Sequence, residues 1–418
     1  MGDADRGRHR VAADGTMVII GAGHAGGRAA EAVRQAGFEG RIVLLGEEAW
    51  VPYERPPLSK ELLAGEDGPE KTFLNPRAFY QENRIDLRLE TRVEGIDQKE
   101  GRVRLAGGES LAYDRLLIAT GGRVRRLQCP GADLSGVHYI RNLDDTLALR
   151  PELGEGRRLV VVGGGYIGLE VAASACKRGA AVTVVELADQ VLARVADPAI
   201  GALMAEKHRA EGVRIVTGAS VERLDGNGRV AEAVLTDGET LDAEVVVVGI
   251  GILPNQEIAA EAGLETANGI KVDEYGKSSD PAIYAVGDVA FHYNPILARH
   301  LRLESWANAQ NGGIAVARNM VLDEPAPYAE VPWFWTDQYD LNLQIVGAPE
   351  AWDRLVTRGD PASGRGIVFC MAGARVVAAS TFNLGRDMRF CRALVESGRE
   401  IAESDLADES RRLRDIVA

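Results

Sequence analysis

The sequence predicts an α/β protein with two similar βαβ units followed by a C-terminal α+β domain. The same order of features, a short apolar strand, a glycine-rich turn, a helix, a second strand and an acidic residue, occurs first around Gly21 and again around Gly163. This order is typical of Rossmann-like dinucleotide-binding units. After residue 323 no third glycine pattern occurs, and residues 326–418 contain three of the five tryptophans and β-type runs such as LQIVG. These residues therefore indicate a separate domain.

The length and composition narrow the class of protein. With 418 residues, 46% of them hydrophobic and 26% charged, the chain is expected to form about three globular domains. No apolar run approaches the roughly 20 residues of a membrane helix, and residues 1–16 lack the apolar segment of a signal peptide. We therefore expect a disordered tail at residues 1–16, a cytoplasmic location and no membrane partner. The net charge of −14 disfavours nucleic acid as a partner.

The four cysteines point away from cysteine-based chemistry. Cys129, Cys176, Cys370 and Cys391 are scattered, and no CxxC or CxxxxC pair occurs. We expect ordinary buried or half-buried thiols, and neither a metal site nor dithiol redox chemistry.

The first βαβ unit has every part of a dinucleotide site. Residues 18–20 form an apolar run long enough for a buried strand. Gly21 allows a tight turn, Gly23 lets backbone N–H groups approach a pyrophosphate, and Gly26 lets the following helix pack closely. The pyrophosphate would lie at the N-terminus of that helix. Glu47 follows the second strand, where a carboxylate can accept hydrogen bonds from a ribose.

Two segments of the chain after Glu47 carry further candidates. In WVPYERPPLSK, three prolines fix an extended path that suits holding Arg55 and Lys60 against a flat ligand, although a solvated surface turn is the alternative. A small antiparallel meander is expected between Val93 and Leu117, and it leads into the buried strand of RLLIATGG.

The second unit repeats the first. We expect a strand at Leu159–Val162, a helix from Ile167 to Arg178 and a strand at Val182–Val185 that ends at Glu186. A second meander then leads into the buried run VVVVGIG. The nucleotide-binding candidates of this unit are Gly163, Gly165, Tyr166, Ile167, Gly168, Glu186, Arg194, Gly249 and Gly251.

A third buried strand, AIYAVGDVA, stops at Gly287 and Asp288. A carboxylate at the carboxyl end of a parallel strand can accept hydrogen bonds from ribityl or ribose hydroxyls. A helix N-cap is an equally good interpretation of Asp288 from the local sequence. Two dinucleotide units in one chain most simply indicate a flavin dinucleotide that is held permanently and a nicotinamide dinucleotide that visits it.

Both glycine turns, together with YERPPLSK, ATGG, GGGYIGLE, VGIGILPN, YAVGDVA and PWFWTDQY, resemble those of the FAD-dependent ferredoxin reductases of bacterial Rieske oxygenase and P450 systems. The resemblance runs from about Met17 to the C-terminus. It implies an FAD domain split in sequence, an inserted NADH domain, and a C-terminal domain that helps form the ferredoxin-docking face. The predicted boundaries are 17–123 and 250–323 for the FAD domain, 124–249 for the NADH domain and 324–418 for the C-terminal domain.

The resemblance also suggests residues that contact FAD. Position by position these are Ala25, Glu47, Lys60, Val93, Arg141, Asp288 and Trp306. Val93 would act through its backbone, and Trp335 is expected near the flavin edge, with simple core packing as the alternative. With the pattern-based candidates added, the predicted FAD set is Gly21, Gly23, Ala25, Gly26, Glu47, Arg55, Lys60, Val93, Ala119, Thr120, Gly121, Arg141, Gly287, Asp288, Trp306 and Trp335.

The resemblance assigns chemistry to three further side chains. Lys60 and Glu170 match a pair that lies beside the flavin N5 in this family, and we expect them to be the catalytic residues. A buried lysine needs a partner to stay charged. Tyr166 is a candidate to cover the flavin until nicotinamide displaces it, or else it only fills the turn.

The expected reaction is hydride transfer from NADH to non-covalently bound FAD, followed by single-electron transfers to a [2Fe-2S] ferredoxin that serves an oxygenase. Two alternatives remain: a rubredoxin- or nitrite-reductase-type NADH reductase, and a slowly reacting flavoprotein that resembles apoptosis-inducing factor. Related disulfide reductases and NADH oxidases need cysteine after the first ribose acid, and this chain has none before Cys129.

Two expectations concern specificity. Glu186 should favour NADH over NADPH because a carboxylate repels a 2′-phosphate, and nearby Arg194 should limit this to a preference. Arg299, His300 and Arg302 form a basic segment within residues 297–303 that we expect to dock an acidic ferredoxin. Its alternative role is to neutralise nearby acids or the FAD phosphates. We expect a monomer or a weak homodimer.

Overall fold

The structure, a computed structural model, describes residues 14–349 and 351–417. The described chain divides into two compact units. The first unit contains the described residues up to 55 together with 72–123 and 254–332, and the second contains 56–71, 124–253 and the described residues from 333 onward. The first thirteen residues of the predicted tail lie outside the described residues. Strand β1 begins at Thr16, within the predicted tail.

Short strands make up about a third of the described chain. In chain order they are β1 (Thr16–Ile20), β2 (Arg41–Leu45), β3 (Ile85–Arg88), β4 (Val93–Asp97), β5 (Arg102–Leu105), β6 (Ser110–Ala112), β7 (Arg115–Ile118), β8 (Gly122–Val124), β9 (Val137–Tyr139), β10 (Arg158–Val162), β11 (Ala181–Glu186), β12 (Arg214–Thr217), β13 (Val221–Gly226), β14 (Val230–Leu235), β15 (Thr240–Asp242), β16 (Val245–Val248), β17 (Ile252–Pro254), β18 (Thr266–Ala267), β19 (Gly269–Val272), β20 (Ile283–Ala285), β21 (Ala290–Asn294), β22 (Arg299–Leu301), β23 (Trp333–Gln338), β24 (Leu341–Val346), β25 (Arg354–Asp360), β26 (Arg365–Ala372) and β27 (Arg375–Phe382).

The helices connect these strands. In chain order they are α1 (His24–Gln35), α2 (Glu61–Ala64), α3 (Arg77–Glu82), α4 (Leu143–Leu149), α5 (Tyr166–Lys177), α6 (Pro198–Ala210), α7 (Glu257–Glu261), α8 (Gly313–Asn319), α9 (Met388–Ser397), α10 (Glu403–Ala407) and α11 (Leu413–Val417).

The first unit is built on a parallel sheet with strand order β20-β7-β1-β2-β3. Both faces of this sheet are covered. Met17 and Ile19 of β1 belong to one apolar core, whereas Val18 and Ile20 belong to another, as alternating side chains require. The predicted meander is confirmed as the antiparallel sheet β4-β5-β6.

The second unit repeats this design with a parallel sheet of order β12-β11-β10-β16-β9 and a meander of β13, β14 and β15. The C-terminal residues form an antiparallel sheet of order β23-β24-β27-β26-β25, followed by three short helices. Leu343, Val368 and Phe382 of this sheet share one apolar core with Leu159 and Val161 of β10. The C-terminal sheet is therefore anchored on the repeated βαβ unit by ordinary hydrophobic packing.

Candidate cofactor sites and a buried lysine–glutamate pair

The first glycine turn, residues 21–26, is shaped by backbone contact. Gly21 has a φ of +109°, and a Cβ atom there would overlap the carbonyl oxygen of Ala119 at the end of β7. A Cβ on Gly26 would overlap the carbonyl oxygen of Gly21. A Cβ built on Gly23 would lie 3.7 Å from Arg55 Nη2, and apart from its chain neighbours no other atom of the described residues would lie within 4 Å. The turn therefore leaves open space in front of the α1 N-terminus, as a pyrophosphate requires.

Arg55 supplies positive charge beside that space. Its guanidinium donates to Glu48 Oε1 at 3.0 Å and to the Tyr53 hydroxyl at 3.2 Å. Burial lowers the pKa of Arg55, but the neighbouring Tyr53 and Glu48 and the charge of Asp288 outweigh it and raise the pKa further above its usual range. A guanidinium held in this way suits a phosphate group.

Asp288 lies three residues beyond the end of β20, in the short 3-10 turn Gly287–Val289. Gly287 has a φ of +77°, and a Cβ on it would approach Ala25 Cβ to 3.1 Å, so this segment packs against the first turn of α1. The polar end of β20 and the first glycine turn thus lie at one edge of the same sheet.

Trp306 also lies beside the start of α1. Its ring meets that of His24 edge to face, with ring centroids 5.4 Å apart and planes at 81°, and its Nε1 donates to Glu54 at 3.2 Å. His24 Nε2 and Gln310 Oε1 are 2.7 Å apart. Burial lowers the pKa of His24, so the ring next to the turn is neutral at pH 7.

Glu47 is placed differently from its counterpart in the second unit. The pairing of β1 with β2 in the first unit matches the pairing of β10 with β11 in the second. In this match Gly46 occupies the position that corresponds to Glu186. The Glu47 side chain follows one residue later, is 70% exposed and forms an ion pair with Arg92 at 3.3 Å. Its role as a ribose acceptor stays a prediction, as does the backbone contact assigned to Val93 at the start of β4.

The segment ATGG is fixed by reciprocal hydrogen bonds with Asn255. Thr120 Oγ1 donates to the Asn255 carbonyl at 2.8 Å, the Asn255 side chain donates to the Thr120 carbonyl at 3.0 Å, and the Asn255 backbone N–H donates to Gly121. Ala119 N–H donates to Ile20 and so continues the β7–β1 pairing.

The second glycine turn, residues 163–168, repeats the first almost atom for atom. Gly163 has a φ of +107°, and its Cβ would meet the carbonyl oxygen of Gly249 after β16. A Cβ on Gly168 would overlap the carbonyl oxygen of Gly163, whereas one on Gly165 would have no atom of the described residues within 4 Å apart from its chain neighbours. The open space again faces a helix N-terminus, that of α5.

Glu186 is aimed at this turn. Its Oε2 accepts the Gly164 N–H at 2.6 Å and its Oε1 accepts the Ala188 N–H at 2.8 Å. The Arg194 guanidinium lies instead beside Gly251, with Nη2 3.3 Å from a built Cβ. Gly251 follows β16, and Glu186 ends β11, on the opposite side of β10. Arg194 is therefore poorly placed to receive a 2′-phosphate at Glu186.

Aromatic side chains line the start of α5. Tyr166 stacks on Phe334 with ring centroids 3.9 Å apart, and Trp333 stacks on Trp335 at 5.0 Å. Burial, and secondarily the charge of Glu170, raise the pKa of Tyr166 well above its usual value. Ile167 is 45% exposed, which is unusual for so apolar a side chain. Tyr166 thus does more than fill the turn, because it also packs on the C-terminal sheet.

Lys60 and Glu170 form a buried ion pair. Lys60 Nζ lies 3.1 Å from Glu170 Oε2, and the side chains are only 11% and 2% exposed. The Ser59 hydroxyl donates to the same oxygen, and Thr336 Oγ1 donates to Glu170 Oε1 at 2.7 Å. The carboxylate therefore has a partner on each oxygen, which is what a buried charge requires.

The residues predicted to contact FAD are divided between the two compact units. The glycine turn, Arg55, Asp288 and Trp306 belong to the first unit. Lys60, Arg141 and Trp335 belong to the second unit, and their assignment to FAD stays a prediction. Arg141 directly precedes the N-cap of α4, and its N–H donates to Asp145 at 2.8 Å.

The expected basic docking segment is wrong in one respect. Arg302 is only 10% exposed, and its guanidinium forms an ion pair with Glu304 at 2.6 Å. The guanidinium also donates hydrogen bonds to Asn268 Oδ1 at 3.1 Å and to the carbonyl oxygen of Asp288 at 3.4 Å. It therefore neutralises a nearby acid, which is the alternative interpretation. The mistake arose because a cluster in the sequence does not show which way its side chains point.

Sequence reasoning missed the groups that support Glu170. Ser59, Thr336, Gln338 and His208 are all buried polar residues of the second unit. A signal existed for two of them, since Thr336 and Gln338 alternate along β23 on its buried face. His208 lies on α6 with no pattern that marks it.

The cysteines, the possible metal ligands and the lengths of the helices complete the description of the chain. Cys370 and Cys391 are buried, and burial raises the pKa of each to about 12, so they are unreactive, as predicted. Within residues 14–349 and 351–417, no group of His, Cys, Asp or Glu could hold a metal ion. In the same part of the chain, no helix is long and apolar enough to cross a membrane.

Comparison with known proteins decides the family. The family described as pyridine nucleotide-disulphide oxidoreductase matches residues 15–313, and the one described as reductase C-terminal matches residues 333–417. The chain belongs to the pyridine nucleotide-disulphide oxidoreductase family. A chain of this family that carries both glycine turns is an oxidoreductase that uses FAD and NADH. The residues around both turns fit these nucleotides.

The relatives confirm the resemblance seen in the motifs. The chain is 44% identical over 405 residues to the anthranilate 1,2-dioxygenase system ferredoxin–NAD(+) reductase component of Burkholderia cepacia, covering 96% of this chain and 99% of the relative. The solved ferredoxin reductase for the CYP199A2 system of Rhodopseudomonas palustris matches with a TM-score of 0.93 and 39% identity, over 97% and 100% of the two chains. The reductase in a covalent putidaredoxin reductase–putidaredoxin complex matches with a TM-score of 0.94 and 37% identity, over 97% and 99%.

Proposed function

We propose that this oxidoreductase takes a hydride from NADH onto bound FAD and passes the electrons one at a time to a [2Fe-2S] ferredoxin that serves an oxygenase. The observation that carries the proposal is the presence of two complete glycine turns in one chain, each with open space at Gly23 or Gly165 before a helix N-terminus. The relatives that cover nearly the whole chain are ferredoxin reductases of oxygenase systems, which supports this partner class.

The residues of this chain would bind and orient the two nucleotides. FAD, when bound, supplies the chemistry, because it accepts a hydride and gives up single electrons. The N-terminus of α1 and Arg55 would hold its pyrophosphate, and Asp288 would accept hydrogen bonds from its hydroxyls. Glu186 would accept the ribose hydroxyls of NADH. Lys60, paired with Glu170, would hold a positive charge where reduced flavin carries a negative one.

The test is NADH oxidation by the purified protein with different acceptors. We expect turnover of many NADH per second with a purified [2Fe-2S] ferredoxin from an oxygenase system, in the range of ordinary enzymes. Faster turnover with a rubredoxin would favour the rubredoxin reductase alternative. Turnover that is slow with every acceptor would favour the flavoprotein that resembles apoptosis-inducing factor.

For the docking face we propose a cluster on the C-terminal domain instead of Arg302. Arg386 and Arg389 are exposed at the start of α9, and Arg392 follows one turn later, half-buried. Among the described residues no ion pair is seen for these three arginines, whereas about half of the described arginines have one. Gly385 packs on Gln344, which also accepts the Trp333 indole N–H at 3.3 Å. The cluster thus lies near the stacked tryptophans.

Charge reversal tests this face. Arg389→Glu should raise the apparent KM for ferredoxin several-fold and weaken the dependence of ferredoxin reduction on salt above 0.1 M, where the Debye length falls below about 10 Å. NADH reduction of a small dye should not change. Arg77→Glu is the matched control, because Arg77 is an exposed arginine on α3 and the change in net charge is the same. Equal effects of the two variants would refute the local docking face.

We also propose that the protein acts in the cytoplasm as a monomer or a weak homodimer. Its four cysteines are free, as is usual in a reducing compartment that contains NADH. Sedimentation at several protein concentrations tests the oligomeric state.

A further inference from the structure

A chain of hydrogen bonds leads away from Glu170 through the core of the second unit. Thr336 Oγ1 donates to Glu170 Oε1 at 2.7 Å, and Gln338 Nε2 donates to Thr336 Oγ1 at 3.0 Å. Gln338 Oε1 lies 2.7 Å from His208 Nε2, and the Tyr339 hydroxyl lies 3.2 Å from His208 Nδ1. The chain connects a buried carboxylate with the half-buried Tyr339.

The burial of these polar side chains is unfavourable unless each of them has its hydrogen-bond partners. Thr336, Gln338 and His208 are 0%, 1% and 0% exposed. Alternation along β23 places Thr336 and Gln338 on the face that an ordinary strand would fill with apolar side chains. Burial of such groups is unfavourable unless each is hydrogen-bonded, and a fully paired network specifies one arrangement.

Each hydrogen bond of the chain is donated in the direction of Glu170. Burial lowers the pKa of His208, while Gln338, Glu211 and Lys207 act on it less, so its ring is neutral and carries one N–H. When Nε2–H donates to Gln338 Oε1, the amide NH2 group faces Thr336. The Thr336 hydroxyl hydrogen is then directed to Glu170 Oε1, which accepts it.

The opposite tautomer of His208 would reverse the chain. If the ring hydrogen lay on Nδ1, Nε2 could only accept, and the amide of Gln338 would have to turn its NH2 group toward it. The amide oxygen would then face Thr336, and the Thr336 hydroxyl would donate to it and give up its bond to Glu170. The Nε2–H tautomer of His208 therefore corresponds to the arrangement in which Thr336 donates to Glu170.

We propose that Thr336, Gln338 and His208 are positioning residues that hold the Glu170 side chain directed at Lys60, and that the tautomer of His208 reports the direction of this hydrogen-bond chain. The inference rests on the proposed function only in that Lys60 and Glu170 act in hydride transfer. None of the three residues touches the reacting atoms in this account.

The structure offers a matched pair of threonines for the test. Thr336→Val keeps the shape of the side chain and removes the hydroxyl that links Glu170 to Gln338. Thr381 lies in β27 of the same sheet, is also 0% exposed, and its Oγ1 has no hydrogen-bond partner among the described residues. Thr381→Val therefore makes the same change in volume and polarity without breaking the chain. Thr336→Ser restores the hydroxyl.

The first measurement is ¹⁵N NMR of the histidine-labelled holoenzyme, with the His208 signal assigned by its loss in His208→Gln. The wild type should show the Nε2–H tautomer, unchanged between about pH 6 and 8. Thr336→Val should show a mixture of tautomers, and Thr381→Val and Thr336→Ser should match the wild type. An Nδ1–H tautomer in the wild type would overturn the proposal.

The second measurement is anaerobic flavin reduction by NADH in a stopped-flow instrument. Thr336→Val should lower the limiting rate constant roughly tenfold, the size of one hydrogen bond to a charged group, with little change in the NADH concentration at half-saturation. A rate and a tautomer equal to those of Thr381→Val would refute the proposal. If Thr336→Val does not fold, Gln338→Met breaks the same chain with a side chain of similar length and carries the same expectations.

Neither measurement contains a ferredoxin. A failure of electron delivery to ferredoxin would therefore contradict the proposed function and leave this test intact. A free His208 tautomer in an enzyme with normal flavin reduction would overturn this inference alone.

Discussion

Replacing Glu170 with glutamine should destabilise the protein far more than the same change at a surface pair. Glu170 is 2% exposed and lies 3.1 Å from Lys60, which is 11% exposed. The substitution leaves a buried ammonium without its counter-ion, which typically costs about 3–5 kcal/mol. At roughly 2–4 °C per kcal/mol for a domain of 150–250 residues, the midpoint of thermal unfolding should fall by about 10 °C.

Glu265→Gln provides the control. Glu265 forms a lysine pair of nearly the same length, 3.0 Å, with Lys271, but the two side chains are 62% and 46% exposed. An exposed pair contributes about 0.2–1 kcal/mol, so the midpoint should move by no more than about 4 °C. Differential scanning calorimetry of both variants with FAD bound makes the comparison. Lys60→Met combined with Glu170→Gln should recover part of the loss because no unpaired charge remains. Equal shifts for Glu170→Gln and Glu265→Gln would refute the reasoning.

Three further predictions follow from the sites and the buried histidines. Glu186→Ala should lower the ratio of kcat/KM for NADH to kcat/KM for NADPH, which we expect to be large in the wild type because Arg194 lies away from Glu186. Equal ratios in the variant and the wild type would contradict this. Gly165→Ala should fold normally but raise the KM for NADH, since its methyl group enters the open space, whereas Gly168→Ala should unfold at a lower temperature because its methyl group would meet a carbonyl oxygen. The free energy of unfolding should fall as the pH drops below about 6.5, because burial lowers the pKa of several histidines in the folded state and the unfolded chain therefore binds more protons at such a pH. A midpoint of thermal unfolding that does not change between pH 7.5 and 5.5 would contradict this prediction.

The sequence was most informative where backbone geometry determines the residue type. The two glycine turns could be recognised because Gly21 and Gly163 have positive φ angles and Gly26 and Gly168 leave no room for a Cβ atom. Buried strands such as β1 and β10 were predicted from their hydrophobic runs. Such constraints are local, and a local pattern of residues reveals them.

The support of Glu170 could not be found in this way. His208 and Thr336 are far apart in the sequence, and their contact with the Glu170 network exists only because the C-terminal sheet packs on the second βαβ unit. The orientation of Arg302 was misjudged for a similar reason, since tertiary contacts with Glu304 and Asn268 turn its side chain away from solvent. Long-range packing determines these features, and it cannot be inferred from residues that are neighbours in the sequence.

The most direct test of the central claim is a count of electrons. NADH carries two electrons and a [2Fe-2S] ferredoxin accepts one, so one equivalent of NADH added anaerobically to a catalytic amount of this flavoprotein should reduce two equivalents of ferredoxin. The absorbance of the ferredoxin and of NADH, recorded together, gives the ratio. We expect a ratio of two, reached within seconds. Rapid bleaching of the flavin by NADH without reduction of the ferredoxin would contradict the proposed function.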